Sequence, residues 1–85
     1  MKIQDIQEQL IGRKVRYYDS FTGCLVGFEV GKFTEVCNSL CLEPREGTSR
    51  IYINKYRVED LLKSGYIFKE FEVDGCRCKE EWSIE

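Results

Sequence analysis

The sequence predicts a small, mainly β (β-rich α+β) domain, and two observations carry this prediction. Short runs of β-branched and aromatic residues, separated by turn residues, fill the chain from Lys14 onward. Near the C terminus, Asp74-Gly75 is the residue pair of a type I′ turn, and the residues that follow it alternate in polarity. We therefore expect a sheet that closes with a C-terminal β-hairpin over residues 66–84.

Length and composition indicate one domain, residues 1–85. A chain of this length buries only about 60% of its unfolded surface, which is enough for one modest core. Apolar residues form 42% of the chain and charged residues 33%, a balance that excludes both disorder and a membrane-embedded composition. The N-terminal segment lacks the apolar block of a signal peptide, so we expect a cytoplasmic protein without membrane contact.

An amphipathic pattern predicts a short N-terminal helix within residues 1–12. Ile3, Ile6 and Leu10 recur at helical spacing, and Gly12 follows where a helix needs a cap with positive φ. A helix of this length is marginal alone. Its apolar stripe must therefore pack on the domain's own sheet or on a second copy of the chain.

Four alternating apolar segments predict strands between residues 14 and 53. The second is long, from Leu25 to Val36, and glycine inside a strand lets the chain bend, so we expect a sharp bend or bulge near Gly31. The second, third and fourth strands should form a meander. The positions that mark the four strands are Val15 and Tyr17, Val26 to Val36, Leu40 and Leu42, and Ile51 and Ile53.

A helical turn and a fifth strand follow. Val58 and Leu61 have helical spacing, which predicts one helical turn near residues 58–64. Residues 66–73 predict a strand, but its apolar phase shifts between the Tyr66/Phe68 pair and the later positions. We interpret this shift as a bulge or a strong twist.

This order of elements resembles that of the SH3-like small β-barrels, over roughly residues 13–73. The likeness is carried by Gly12 to Tyr18 at the start of the first strand, by Gly27 and Gly31 in the second strand, and by Arg57 to Leu62 in the helical turn. It implies a barrel-like core. The peptide-binding signature of SH3 domains is absent, so the resemblance implies no proline-rich ligand.

The cysteines favour a structural role. Cys37 and Cys41 with Cys76 and Cys78 provide four thiols, the ligand number of a structural zinc site. Residues two apart in a strand lie roughly 7 Å apart, however, which is too far for two ligands of one ion. The chain has five cysteines and no export signal, so we expect reduced thiols, with no disulfide framework, metal or other cofactor.

Catalysis has little support in the sequence. The chain contains no histidine, the commonest general acid or base and the commonest partner of a nucleophilic cysteine or serine. Its adjacent carboxylates, such as Glu59 and Asp60, lie beside basic residues, and nothing places two of them across a cleft. We predict no catalytic residues and no enzymatic activity.

Two basic and aromatic segments suggest nucleic acid as an alternative ligand. Residues 13–18 and 50–57 combine cations with rings on which bases stack. A net charge of −2 argues against this alternative. The candidate nucleic-acid-binding residues are Arg13, Lys14, Arg16, Arg50, Lys55 and Arg57.

The final strand suggests a protein-binding surface. Glu80 interrupts the apolar face of that strand between Cys78 and Trp82, so the carboxylate either pairs with a basic group or the face is partly open. An open face would make Trp82 an interface anchor, whereas in the alternative Trp82 packs on the N-terminal helix. The candidate partner-binding residues are Trp82, Tyr17, Tyr18, Tyr52 and Tyr56.

These patterns predict a noncatalytic binding module whose partner is a protein. An inhibitor or adaptor fits best, and small phage-encoded inhibitors of bacterial defence or host proteins are of this kind. Two alternatives stay open: a small nucleic-acid-binding barrel, and an oligomer such as a homodimer that sequesters a small ligand between its subunits.

Overall fold

A computed structural model describes residues 3–85, and residues 1 and 2 of the predicted N-terminal helix lie outside this range. The mainly β class is confirmed. The elements in chain order are α1 (Ile3–Leu10), β1 (Lys14–Asp19), β2 (Cys24–Glu29), β3 (Lys32–Val36), β4 (Ser39–Glu43), β5 (Ile51–Asn54), α2 (Lys55–Ser64), β6 (Tyr66–Val73) and β7 (Cys76–Ile84).

The strands form two antiparallel sheets. The four-stranded sheet has the order β2-β1-β7-β6, and the three-stranded sheet has the order β3-β4-β5. The three-stranded sheet is the predicted meander, which is confirmed. Within the described residues neither sheet closes on itself, so the barrel that the SH3-like resemblance implied is not confirmed.

The predicted long strand is two strands, because the chain turns sharply at Val30-Gly31 and the halves join different sheets. Val30 is fully buried, and its N–H donates to the Arg13 carbonyl at 2.9 Å. The Gly31 N–H donates to the Glu43 carbonyl at 2.9 Å. A Cβ atom on Gly31 would lie 2.6 Å from the Cα atom of Arg45. The bend predicted near Gly31 therefore exists, and only glycine fits there.

Helix α2 is longer than predicted, with ten residues in place of one turn near 58–64. The side chain of Asn54 caps its start by accepting a hydrogen bond from the Tyr56 N–H at 2.8 Å. The Gly65 N–H donates to the Leu61 carbonyl at 2.8 Å and ends the helix. Apolar spacing does not reveal this cap, which starts the helix one turn earlier than the prediction. Neither described helix is long and apolar enough to cross a membrane.

One core unites both helices and both sheets. Ile6 and Leu10 of α1 lie within it, at 1% and 0% exposure, so the N-terminal helix packs on its own domain. This decides between the two packing partners that the sequence left open. The buried core residues are Ile6, Leu10, Val15, Val30, Leu40, Leu42, Ile51, Ile53, Val58, Leu61, Trp82 and Ile84.

The C-terminal hairpin is confirmed, with φ values of 51° at Asp74 and 81° at Gly75 in its turn. The β6–β7 register runs without interruption from the Tyr66–Ser83 pair to the Val73–Cys76 pair. The bulge predicted in the fifth strand is therefore wrong. The apolar phase shift in β6 has another cause, which is the presence of apolar side chains on both faces of the sheet.

We predict that Gly31→Ala lowers the free energy of unfolding by about 1–3 kcal/mol, because the new methyl group meets the backbone of Arg45, which cannot rotate away. Urea denaturation measures this change. Gly27→Ala is the matched control: its Cβ atom meets the flexible Arg16 side chain, with Cγ at 3.2 Å. That variant should change stability by less than about 0.5 kcal/mol. Equal effects of the two substitutions would contradict the role assigned to Gly31.

Candidate functional site

The two faces of the four-stranded sheet differ in what covers them. One face carries Val15, Trp82 and Ile84 into the core. Strand pairing places alternate residues in two adjacent rows on the opposite face, which we call the outer face. The first row is Leu25, Tyr18, Glu81 and Phe68, and the second row is Gly27, Arg16, Ser83 and Tyr66.

Four large apolar side chains stay exposed on the outer face. Leu25 is 66% exposed, Phe68 50%, Tyr66 44% and Tyr18 37%. Single exposed apolar residues are ordinary on protein surfaces, but contiguous groups of them mark interaction sites. Because these four belong to two neighbouring rows of one sheet, the outer face is the candidate site.

A polar cluster fixes the aromatic side chains at the β6 end of the outer face. The Tyr66 hydroxyl donates to Glu81 Oε1 at 2.6 Å, and Lys79 Nζ lies 2.7 Å from the same oxygen. The bonds from Lys79 and Tyr66 lower the pKa of Glu81, and the bond to Glu81 raises the pKa of Tyr66. Lys79 Nζ also lies 5.0 Å from the Phe68 ring centroid. The rings are thus held in place before any partner arrives, which reduces the entropy lost on binding.

Arg16 is a cation of the outer face that has no acceptor among residues 3–85. Its side chain lies over Gly27 and forms no ion pair or side-chain hydrogen bond among residues 3–85. It borders a groove of about 240 Å³, which Tyr18, Leu25 and Tyr66 also line. A second groove of about 610 Å³ continues past Gly27 toward Lys14 and Glu85. A guanidinium so placed is available to a carboxylate of a partner.

Trp82, the first predicted partner-binding residue, is 5% exposed and belongs to the core. Its ring centroid lies 5.4 Å from that of Tyr17 and 5.3 Å from the guanidinium carbon of Arg57. The face of β7 that carries Trp82 is therefore closed, and Arg57 of α2 forms part of its cover. An interior ring offers no surface to a partner, so we remove Trp82 from the candidate site.

Glu80, which raised the question of an open face, is only partly buried and lies opposite Lys69 on the neighbouring strand. Burial, followed by the negative charge of Glu80, raises the pKa of Tyr17 to about 12. Tyr17 therefore stays a neutral phenol at physiological pH, packed against Trp82.

The four predicted tyrosines do not form one surface. Tyr17 points inward and packs in the core, whereas Tyr18 lies on the outer face. Tyr52 and Tyr56 are 55% and 74% exposed, but they belong to β5 and α2, outside the four-stranded sheet. Only Tyr18 of this set contributes to the candidate site.

Most of the cations predicted to contact nucleic acid bind acceptors within the chain. Lys14 and Arg16 are the two of the six that make no such contact among the described residues. The others pair as follows: Arg13 Nε donates to the Glu85 carbonyl at 2.8 Å, Arg50 Nε lies 3.0 Å from Glu43 Oε1, Lys55 Nζ lies 2.5 Å from Glu35 Oε2, and Arg57 Nη2 donates to the Phe68 carbonyl at 2.9 Å.

The cysteines considered as zinc ligands are divided between the two sheets. Cys76 and Cys78 belong to β7, whereas Cys37 and Cys41 lie just before and within β4. Among residues 3–85, no group of three or more cysteine, aspartate or glutamate side chains is arranged to hold a metal ion. Burial raises the pKa of the Cys78 thiol, which keeps it protonated.

Sequence reasoning missed three residues of the candidate site: Leu25, Tyr66 and Phe68. The signal for the last two was present in the apolar phase shift of β6. A strand whose apolar residues lie first on one face and then on the other needs no bulge if each face of the sheet carries its own apolar surface. That reading would have placed Tyr66 and Phe68 on a second apolar surface.

Comparisons with protein-family models, with curated proteins and with solved structures give no match to this chain. The candidate site therefore rests on its own residues.

We predict that three thiols per chain, those of Cys24, Cys37 and Cys76, react rapidly with an aromatic disulfide reagent in the native protein. Cys41 and Cys78 are buried and should react only after denaturation, because the reagent cannot reach them. Absorbance of the released thiolate counts the reactive groups.

Two single variants test this assignment. Cys76→Ser should remove one of the fast thiols, whereas Cys78→Ser should leave the fast count unchanged. Rapid reaction of all the cysteines in the folded protein would contradict the burial of Cys41 and Cys78.

Proposed function

We propose that this chain is a noncatalytic protein-binding module and that its outer face is the contact surface. One observation carries the proposal: Tyr18, Leu25, Tyr66 and Phe68 are exposed together beside Arg16, whose charge has no acceptor within the described residues. Aromatic residues and arginine dominate the binding energy of protein interfaces.

The distribution of cations favours a protein over a nucleic acid. Nucleic-acid affinity depends on several cations that each neutralise a phosphate. Four of the six candidate cations are already held by carboxylates or carbonyls of the chain. With a net charge of −2, two free cations on β1 provide little attraction for a phosphate backbone, but they suffice for a carboxylate within an apolar interface.

The layout of the outer face defines the chemistry of the partner. Leu25 and Tyr18 lie at one end of the first row and Phe68 at the other, so the partner presents apolar groups to both ends. Arg16 in the adjacent row takes a carboxylate. Lys79 already neutralises the charge of Glu81, and the Tyr66 hydroxyl donates a hydrogen bond to it. The Glu81 carboxylate therefore does not repel an acidic partner.

Such a module acts by occupying its partner, as an inhibitor or an adaptor does. The bend at Gly31, through which one stretch of chain supplies strands to both sheets, supports a further proposal that the fold is related to the SH3-like small barrels. That relation does not select a ligand, because small barrels serve many functions.

Affinity capture with the tagged chain, from an extract of the cells in which it occurs, tests the proposed function. We predict that a protein captured by the wild type is lost with the double variant Tyr18→Ser/Phe68→Ser. Loss of central aromatic contacts commonly costs about 2 kcal/mol or more each, which removes detectable binding. Arg16→Glu as a single change in the wild type should weaken capture, through repulsion of the partner's carboxylate.

Tyr56→Ser is the matched control, because it removes the most exposed tyrosine of the chain, 74% exposed, from helix α2. It should leave capture intact, and circular dichroism should show all variants folded. Capture that survives the outer-face variant, or that nuclease treatment abolishes, would refute the proposal and in the second case favour nucleic acid.

A further inference from the structure

Strand β2 forms an unprotected edge of the four-stranded sheet. In the part of the chain that the structure describes, residues 3–85, it pairs with β1 on one side only. Its six residues include no proline and no lysine, and its single charge, Glu29, stands at its end. Natural edge strands usually carry such residues or are covered, because an open ladder pairs readily with another strand. This edge therefore lacks the usual defences against pairing.

The other three edges are protected. The β6 edge is engaged by α2 near its start, since Arg57 Nη2 donates to the Phe68 carbonyl at 2.9 Å, and its later part carries Glu70 and Glu72. The β5 edge is only four residues long and runs directly into α2. The β3 edge carries Lys32 and Glu35 among its five residues. The contrast singles out β2.

The pairing of β2 with β1 shows which backbone groups face the open side. Val30 donates to the Arg13 carbonyl at 2.9 Å, and its carbonyl accepts from the Gly12 N–H at 2.8 Å. Hydrogen-bonding direction alternates along an antiparallel strand. The backbone groups of residues 28, 26 and 24 therefore face β1, and those of Leu25, Gly27 and Glu29 face the open side.

We propose that two copies of this chain pair antiparallel through their β2 edges and form one continuous sheet. A twofold axis perpendicular to the sheet keeps each residue on its own face, so only residues of equal parity lie opposite each other. In the register that pairs Val26 with Val26 of the second copy, Leu25 of each copy lies opposite Gly27 of the other.

This register fits the shape and charge of the edge. Leu25 is 66% exposed in the single chain. In the dimer it lies opposite Gly27 of the other copy, which has no side chain and borders the groove of about 610 Å³ that Arg16 also lines. On the other face the half-buried Val26 gains an apolar neighbour. Glu29 falls opposite Gly23, so no like charges meet.

The dimer shares one residue with the proposed contact surface, Leu25, which pairing at β2 covers. Pairing leaves Tyr18, Tyr66 and Phe68 uncovered and joins the two outer faces into one larger surface, so the two proposals can fail separately. A monomeric protein would overturn the dimer and leave the capture experiment unaffected.

Sedimentation equilibrium of the full chain under reducing conditions tests the dimer. We expect a mass that rises with concentration from the 10.0 kDa of one chain toward twice that value. Leu25→Lys, which places a charge on the edge, should raise the dissociation constant at least about tenfold. Phe68→Lys makes the same change in charge on β6, at the opposite edge of the sheet, and should leave the dissociation constant unchanged. A wild type that stays monomeric, or a dimer that tolerates Leu25→Lys, overturns the proposal.

Cross-linking tests the register. In a background with serine at the exposed Cys24, Cys37 and Cys76, Val26→Cys places two thiols directly opposite each other at a non-hydrogen-bonded pair. The Cα atoms of such a pair lie about 4.5 Å apart, within reach of a disulfide. Mild oxidation should give a covalent dimer with Val26→Cys and not with Glu70→Cys on β6. Cross-linking of both variants to the same extent, or of neither, overturns the proposed register.

Discussion

The packing of Trp82 between Tyr17 and Arg57 is the contact on which the rest of the structure depends. Strand β7, which carries Trp82, pairs with both β1 and β6. Tyr17 belongs to β1, and Arg57 reaches from α2 to the Trp82 ring and to the Phe68 carbonyl on β6. One indole thus joins three strands to a helix. Removal of a buried tryptophan side chain costs about 3–5 kcal/mol, a large fraction of the roughly 5–15 kcal/mol that stabilises a domain.

This contact also determines which face of the sheet is free. Because α2 and the core cover the side of β7 that carries Trp82, the opposite side of the same four strands has no partner within the described residues. The apolar side chains on that side, Leu25, Tyr18 and Phe68, cannot contribute to folding as core residues do. Their exposure reduces solubility without adding stability, which is why we assign them to binding. The open β2 edge adjoins the same surface, so the proposed contact surface and the proposed dimer contact are neighbouring parts of one sheet.

Local patterns in the sequence predicted local structure well. The Asp74-Gly75 hairpin, the bend at Gly31 and the N-terminal helix each depend on a turn preference or a periodicity within about ten residues. The division of one apolar run between two sheets was not predictable in this way, because it depends on the approach of Arg45 to Gly31. The burial of Trp82 was one of two alternatives that the sequence left open. Alternation along β7 defines two faces, but only the placement of α2 decides which of them is covered, and this contact is distant in sequence.

Fluorescence of the single tryptophan tests the central contact most directly. With Trp82 5% exposed beneath Arg57, the native protein should emit at short wavelength and resist quenching by iodide, and both properties should be lost on unfolding in urea. Arg57→Ala should increase the quenching while the protein remains folded. A native indole quenched as readily as the unfolded one would contradict the account, because the face of β7 that we describe as closed would then be open to water.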